Sequence, residues 1–143
     1  MGGEGPGEQH YSFAPTLESI LLAQEKIEAA ASGFLDKARM FRLNMAVEEL
    51  LTNVVKHSGT TDPMTVTIRD EPGCLSVELG DSGPRFDPFT QAQKPVLDAS
   101  IEDRPIGGLG VHLVQAMLDK VEYRRIGERN SIVLTMFKDG SKR

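Results

Sequence analysis

Glu49-Leu50-Leu51-Thr52-Asn53, Asp81-Ser82-Gly83-Pro84-Arg85-Phe86-Asp87-Pro88 and Gly107-Gly108-Leu109-Gly110 follow one another along this chain, each where a helix or strand meets a turn. The first lies in a predicted helix from Asp36 to His57, whose apolar stripe is Met40, Leu43, Val47, Leu50, Leu51, Val54 and Val55. Ser58-Gly59 ends that helix. The second follows two strands that read by alternation, Met64, Val66, Ile68 and then Leu75, Val77, Leu79, joined by the turn Glu71-Pro72-Gly73. The third opens a helix predicted from Gly110 to Lys120.

Outward from these, Tyr11 to Ala14 reads as a short strand. Pro15-Thr16 then leads into a helix over 17–32 with Leu17, Ile20, Leu21, Gln24, Ile27 and Ala31 at helical spacing. Two strands close the chain, Val121 to Ile126 and Ser131 to Phe137, around a polar turn at Gly127 to Asn130. Hairpins replace βαβ crossovers in this order. The expectation is α+β: a two-layer sandwich of a mixed, mostly antiparallel sheet with three helices on one face. Residues 1–9 are Gly-rich and polar and read as a flexible tail, with one domain over 10–143. Within it, Ser82 to Ile106 has four prolines and little periodicity, which reads either as disorder or as an active-site lid.

The 143 residues are 39% hydrophobic and 26% charged, a composition that supports one packed core. A net charge of −5 with no Lys/Arg stripe argues against a nucleic-acid partner. A single cysteine, Cys74, excludes an internal disulfide and a Cys-based metal cluster, and its strand setting favours a buried thiol. The longest apolar run near the start is Ile20-Leu21-Leu22-Ala23, too short to span a membrane. The first residues carry neither a basic region nor an apolar core, so a cytoplasmic protein is expected.

Glu49, Asn53 and His57 recur at intervals of four and share one helix face. A solvated helix face explains them individually. As a group they offer chemistry: a carboxylate that accepts a proton from a hydroxyl, and an amide oxygen suited to Mg²⁺ one turn away. Asp81 is explained equally by an Asp-x-Gly turn or by acceptance from an exocyclic amine such as adenine N6, which selects adenine over guanine. The glycines before the last helix would let phosphates approach its free N–H groups, and a flexible linker explains them as readily. They form neither a Walker A loop nor a Rossmann fingerprint.

In order and spacing these residues resemble the anti-sigma-factor serine/threonine kinases of the ATPase superfamily that includes gyrase, the heat-shock chaperone and histidine-kinase catalytic domains. The resemblance runs from Tyr11 to Lys138 and is most specific over 47–57, 81–88 and 102–114. It implies that ATP and Mg²⁺ are used, that Glu49 is the general base and that Asn53 is the Mg²⁺ ligand. It further implies an ATP site of Asn53, His57, Asp81, Gly83, Arg104, Gly108, Gly110 and Thr135, with 84–106 as the ATP lid and Arg104 reaching the γ-phosphate. Implied partners are an anti-sigma-factor antagonist that receives the phosphate, a sigma factor, and a second copy in a homodimer. Gly107-Gly108-Leu109-Gly110 departs from the Gly-Met-Gly of several such kinases. The alternative is an ATP-binding interaction module with little phosphotransfer. A histidine-kinase catalytic half is disfavoured, since only His10 precedes the first helix as a phosphoacceptor.

Overall fold

The computed structural model describes residues 7–91 and 108–138, with backbone alone for Thr90, Gln91 and residues 108–112. The elements run β1 (Glu8–Phe13), α1 (Leu17–Ala31), α2 (Lys37–His57), β2 (Met64–Glu71), β3 (Cys74–Asp81), α3 (Pro88–Gln91), α4 (Gly108–Met117), β4 (Lys120–Ile126) and β5 (Arg129–Phe137).

The five strands form one sheet in the order β1-β2-β3-β5-β4. Every pairing among the described residues is antiparallel, where a mixed but mostly antiparallel sheet was expected. The reason lies in how β3 connects to β4. These strands run in the same direction, but β5 returns between them and pairs with both. Two tight turns set the register. Pro72-Gly73 closes β2 onto β3 with Gly73 at φ 85°, and Gly127-Glu128 closes β4 onto β5 with Gly127 at φ 59°. The second turn is two residues long, so Arg129 and Asn130 belong to the strand rather than to the predicted turn. β1 likewise starts at Glu8 rather than Tyr11, its first residues pairing with Arg69 and Ile68.

α1 begins where the Thr16 hydroxyl accepts from Ser19 N at 3.3 Å. Its buried face is Ile20, Ala23, Ile27 and Ala31. Leu17 and Leu21, assigned to the apolar stripe by spacing, are 55% and 66% exposed instead. α2 begins where the Asp36 carboxylate accepts from Arg39 N at 2.8 Å, and it buries Leu43, Ala46, Val47, Leu50 and Leu51. Its end is equally well marked, with Lys56 and His57 in the last turn and Gly59 just beyond at φ 72°. Both helices cover the sheet face made by Met64, Val66, Ile68, Leu75, Val77, Leu79, Leu134 and Met136. α4 packs against α2, and the four-residue α3 is one helix more than the sequence suggested.

The other sheet face is polar. Arg69 bridges Glu8 at 2.8 Å and Glu78 at 3.0 Å, and the Ser131 hydroxyl donates to Glu78 at 2.5 Å. Cys74 is half-buried, not buried. Burial and the Glu71 carboxylate push its thiol upward, toward the protonated form. No helix among the described residues is long and apolar enough to cross a membrane.

Candidate functional site

Row parity places the site. On β3 the helix-facing residues are Leu75, Val77, Leu79 and then Asp81; on β5 they are Met136, Leu134, Ile132 and then Asn130. Both rows are apolar until their last member, and the last members are opposite each other in the register. The apolar layer thus ends in two polar side chains, only 7% and 5% exposed. Such groups are costly to bury without partners.

Each has them. Asp81 Oδ1 accepts from Gly83 N at 2.8 Å and from Asn130 Nδ2 at 3.1 Å. Asn130 Nδ2 also meets the Pro84 carbonyl at 2.9 Å, and Asn130 Oδ1 accepts from the Tyr123 hydroxyl at 2.6 Å. Arg125 donates to the Gly83 carbonyl at 2.8 Å, and Arg129 donates to the Ser82 hydroxyl at 2.8 Å. The turn after β3 is therefore held by β5 and its hairpin.

Gly83 joins this turn to α2. A Cβ on it would lie 2.8 Å from Ser58 Cβ and 3.0 Å from Asp81 Oδ1. Only a glycine lets the end of α2 come this near the strand end. Ser58 caps α2 immediately after His57, so the polar line of that helix begins beside Asp81. Asn53 lies about 7.5 Å and Glu49 about 13.5 Å up the axis from Ser58 at the helical rise. Glu49 and Asn53 are half-buried and His57 is exposed. Burial, reinforced by Glu48 and opposed by Lys56, raises the Glu49 carboxyl above its usual range.

α4 starts at Gly108, two residues earlier than predicted, which puts Gly108 and Gly110 inside its first turn. The N–H groups of a first turn lack intrahelical partners. Because α4 packs on α2, that terminus belongs to the same layer as the Glu49 line.

Two predicted site residues are not brought in. Arg104 lies outside the described residues. Thr135 is a correction: it pairs with Ser76 and Lys120, on the sheet face opposite Leu134 and Met136. It sits five residues from Asn130, about 17 Å at the rise of a strand. Asn130 occupies the β5 place beside Asp81 instead. Continuing the Ile132-Leu134-Met136 alternation back by one step would have found it.

A one-sided antiparallel sheet, a long helix docked on an Asp-x-Gly strand end and a glycine-led helix beside it define an ATPase-type α+β class that has no P-loop. The family described as the histidine kinase-like ATPase domain matches residues 13–136, and the chain belongs to it. Among curated relatives, the serine/threonine-protein kinase BtrW of Bordetella bronchiseptica is 32% identical over 98 residues, 66% of this chain and 68% of that one. The serine-protein kinase RsbW of Listeria innocua is 34% identical over 115 residues, 76% of this chain and 72% of that one. A solved structure of the RsbU and RsbW domains of a Mycobacterium tuberculosis protein shares the fold, with a TM-score of 0.65 at 15% identity. It is matched over 94% of this chain, which spans 33% of that one.

Proposed function

We propose that the protein is an ATP-dependent serine/threonine protein kinase that acts as an anti-sigma factor and phosphorylates a small anti-sigma-factor antagonist. The observation that carries this is Glu49: a half-buried carboxylate of raised basicity, one helical turn from Asn53, on a helix docked at the Asp81 turn. Kinship with protein kinases of the serine type supports the choice of acceptor.

In the reaction, Asp81 accepts the adenine amine and Gly83 gives the base room. The first-turn N–H groups at Gly108 and Gly110 hold phosphate oxygens. Glu49 takes the proton of the acceptor hydroxyl as its oxygen bonds to the γ-phosphorus and the bond to the β-phosphate oxygen breaks, releasing ADP. His57 stands at the Asp81 end of the polar line, on the base side of Asn53 and Glu49. Among the described residues no three His, Cys, Asp or Glu gather to cage a metal. That sparse set suits Mg²⁺, which keeps its waters and leans on substrate phosphates, with Asn53 offering one neutral oxygen. Bound there, Mg²⁺ would neutralise charge on the phosphates. A sigma factor as second partner, a homodimer and a cytoplasmic location complete this reading.

The test is transfer of label from [γ-³²P]ATP to a candidate antagonist domain. Label on serine or threonine, lost in Glu49→Gln, is expected. No transfer, or full transfer by Glu49→Gln, refutes the assignment. A second reading, an ATP-binding interaction module with little phosphotransfer, draws on the exposed Leu17, Leu21, Phe41 and Met45 of α1 and α2. Tight ATP binding by calorimetry, abolished in Asp81→Asn, with no transfer would favour it.

A further inference from the structure

The amide of Asn130 is surrounded in a way that leaves it one orientation. Its Nδ2 faces three acceptors: Asp81 Oδ1 at 3.1 Å, the Pro84 carbonyl at 2.9 Å and the Gly83 carbonyl at 3.4 Å. Its Oδ1 faces three donors: the Tyr123 hydroxyl at 2.6 Å, Phe86 N at 3.3 Å and Arg125 Nη1 at 3.3 Å. Turning the amide over would set oxygen against three oxygens and NH₂ against three donors. Asn130 is also 5% exposed, so water cannot make good the loss of these partners.

This arrangement bears on Asp81. Among the described residues both hydrogen bonds to its carboxylate go to Oδ1, and none donates to Oδ2. One oxygen is thereby pinned and the other is left to accept. A carboxylate free to rotate could present either oxygen, or turn aside. A pinned one presents a single acceptor in a fixed direction, as discrimination between an amine and a carbonyl on a purine requires. The same Asn130 amide holds Pro84 and Phe86, so the backbone beside the base is fixed by the group that fixes the carboxylate.

We propose that Asn130 is a positioning residue for base recognition: it holds Asp81 with Oδ2 presented, fixes the loop 83–86, and so sets the preference for adenine over guanine nucleotides. The inference rests on the reading that Asp81 receives the base.

The test measures dissociation constants of fluorescent ATP and GTP analogues for the intact protein, three variants and an Asp81→Asn control. Asn130→Ala should weaken ATP about tenfold and narrow the ATP-to-GTP ratio by about fivefold or more, since the unpinned carboxylate no longer selects. Asn130→Asp should bind ATP worse than Asn130→Ala at pH 8, because the introduced oxygen faces three acceptors. Relative to wild type at the same pH it should recover by pH 5.5, as the introduced carboxyl takes up a proton and can donate again. Tyr123→Phe removes one donor while keeping the ring, so it serves as the milder variant should the others not fold. It should narrow the ratio about twofold. A residue that only supports the fold would weaken ATP and GTP equally and show no such recovery. Equal weakening, or wild-type discrimination in all three variants, overturns the inference, provided Asp81→Asn loses ATP. If Asp81→Asn binds ATP as wild type does, the reading of Asp81 fails first, and the inference with it.

Discussion

Gly83→Ala should detach the end of α2 from the base-side turn. The added Cβ would lie 2.8 Å from Ser58 Cβ, 3.0 Å from Asp81 Oδ1 and 3.4 Å from Ser58 Cα. Carbon atoms in contact prefer about 3.5–4.0 Å, so Ser58 or the turn must retreat by about 0.7 Å or more. Gly83 is absent from the glycines at positive φ, so its backbone is one that alanine adopts and the cost is contact alone. Overpacking of this kind costs about 1–3 kcal/mol, against which the stiffer unfolded chain returns about 0.4–1 kcal/mol. A net loss of about 1–2 kcal/mol lowers the melting temperature by about 3–8 °C for a chain of this size. The functional effect is separate: the retreat moves the polar line of α2 relative to Asp81, and ATP affinity should fall at least tenfold. Gly33→Ala is the control. Gly33 sits at φ 93° with nothing within 4 Å of an added Cβ, so alanine there pays backbone strain of about 1–2 kcal/mol and leaves ATP binding alone. Thermal unfolding and calorimetric titration of both variants, with the Ser58→Gly/Gly83→Ala double variant, complete the experiment. Wild-type melting and affinity in Gly83→Ala, or no recovery on removing the Ser58 side chain, would refute the argument.

The raised Glu49 carboxyl must be ionised to act as a base, so kcat/KM should fall with decreasing pH through a midpoint above the usual carboxylate value of 4.5. A pH profile with its midpoint at or below that value contradicts this, and Glu49→Gln should cost about 10²–10⁴-fold in transfer with ATP affinity kept. Burial works to raise Glu78, but the Ser131 hydroxyl and the Arg69 guanidinium outweigh it and hold the carboxyl below its usual range. A depressed carboxyl adds stability above its unfolded pKa that is lost as pH falls through the folded one. Urea unfolding of Glu78→Gln should therefore show a deficit at neutral pH that closes in acid; a deficit that grows in acid would count against the network. Asp36→Ala removes the α2 N-cap and should cost about 1 kcal/mol by thermal unfolding, while Asp36→Asn should cost a few tenths, being able to accept from Arg39 N. Equal losses in the two variants would show that the cap is not the cause.

The elements were legible wherever local pattern decides them. Asp36 and Ser58-Gly59 mark the ends of α2 because capping chemistry acts over three or four residues, and the sequence shows those residues. The alternation of β2 and β3 is legible for the same reason. Glu49, Asn53 and His57 were found by helical period alone. Leu17 and Leu21 were misassigned because spacing defines a face without saying which neighbour covers it; the sheet chose Ile20 and Ala23. Asn130 was read as turn because Gly127-Glu128-Arg129-Asn130 is polar throughout. Its importance comes from Asp81, a partner 49 positions away across a strand pairing that no local window contains. Thr135 came in by resemblance, and strand parity removed it.

Asp81 and Asn130 also account for the site's position at this end of the sheet. A row of alternating apolar residues along a strand must stop where the covering helices stop, and the residue after the last apolar one is half in the core and half out. Ordinarily water or a loop satisfies a polar group there. In this protein the two rows end in register, so each polar end becomes the other's partner, and α2 closes over them because Gly83 has no side chain. Two carboxylates in those places would repel one another, and two amides would supply no anion to accept an amine. A carboxylate opposite an amide satisfies the core end and still leaves one acceptor directed outward. If Asp81 receives the base as proposed, the same pairing that closes the hydrophobic layer is also the floor of the nucleotide site, and the stability of this corner and its selectivity for a ligand rest on one set of hydrogen bonds.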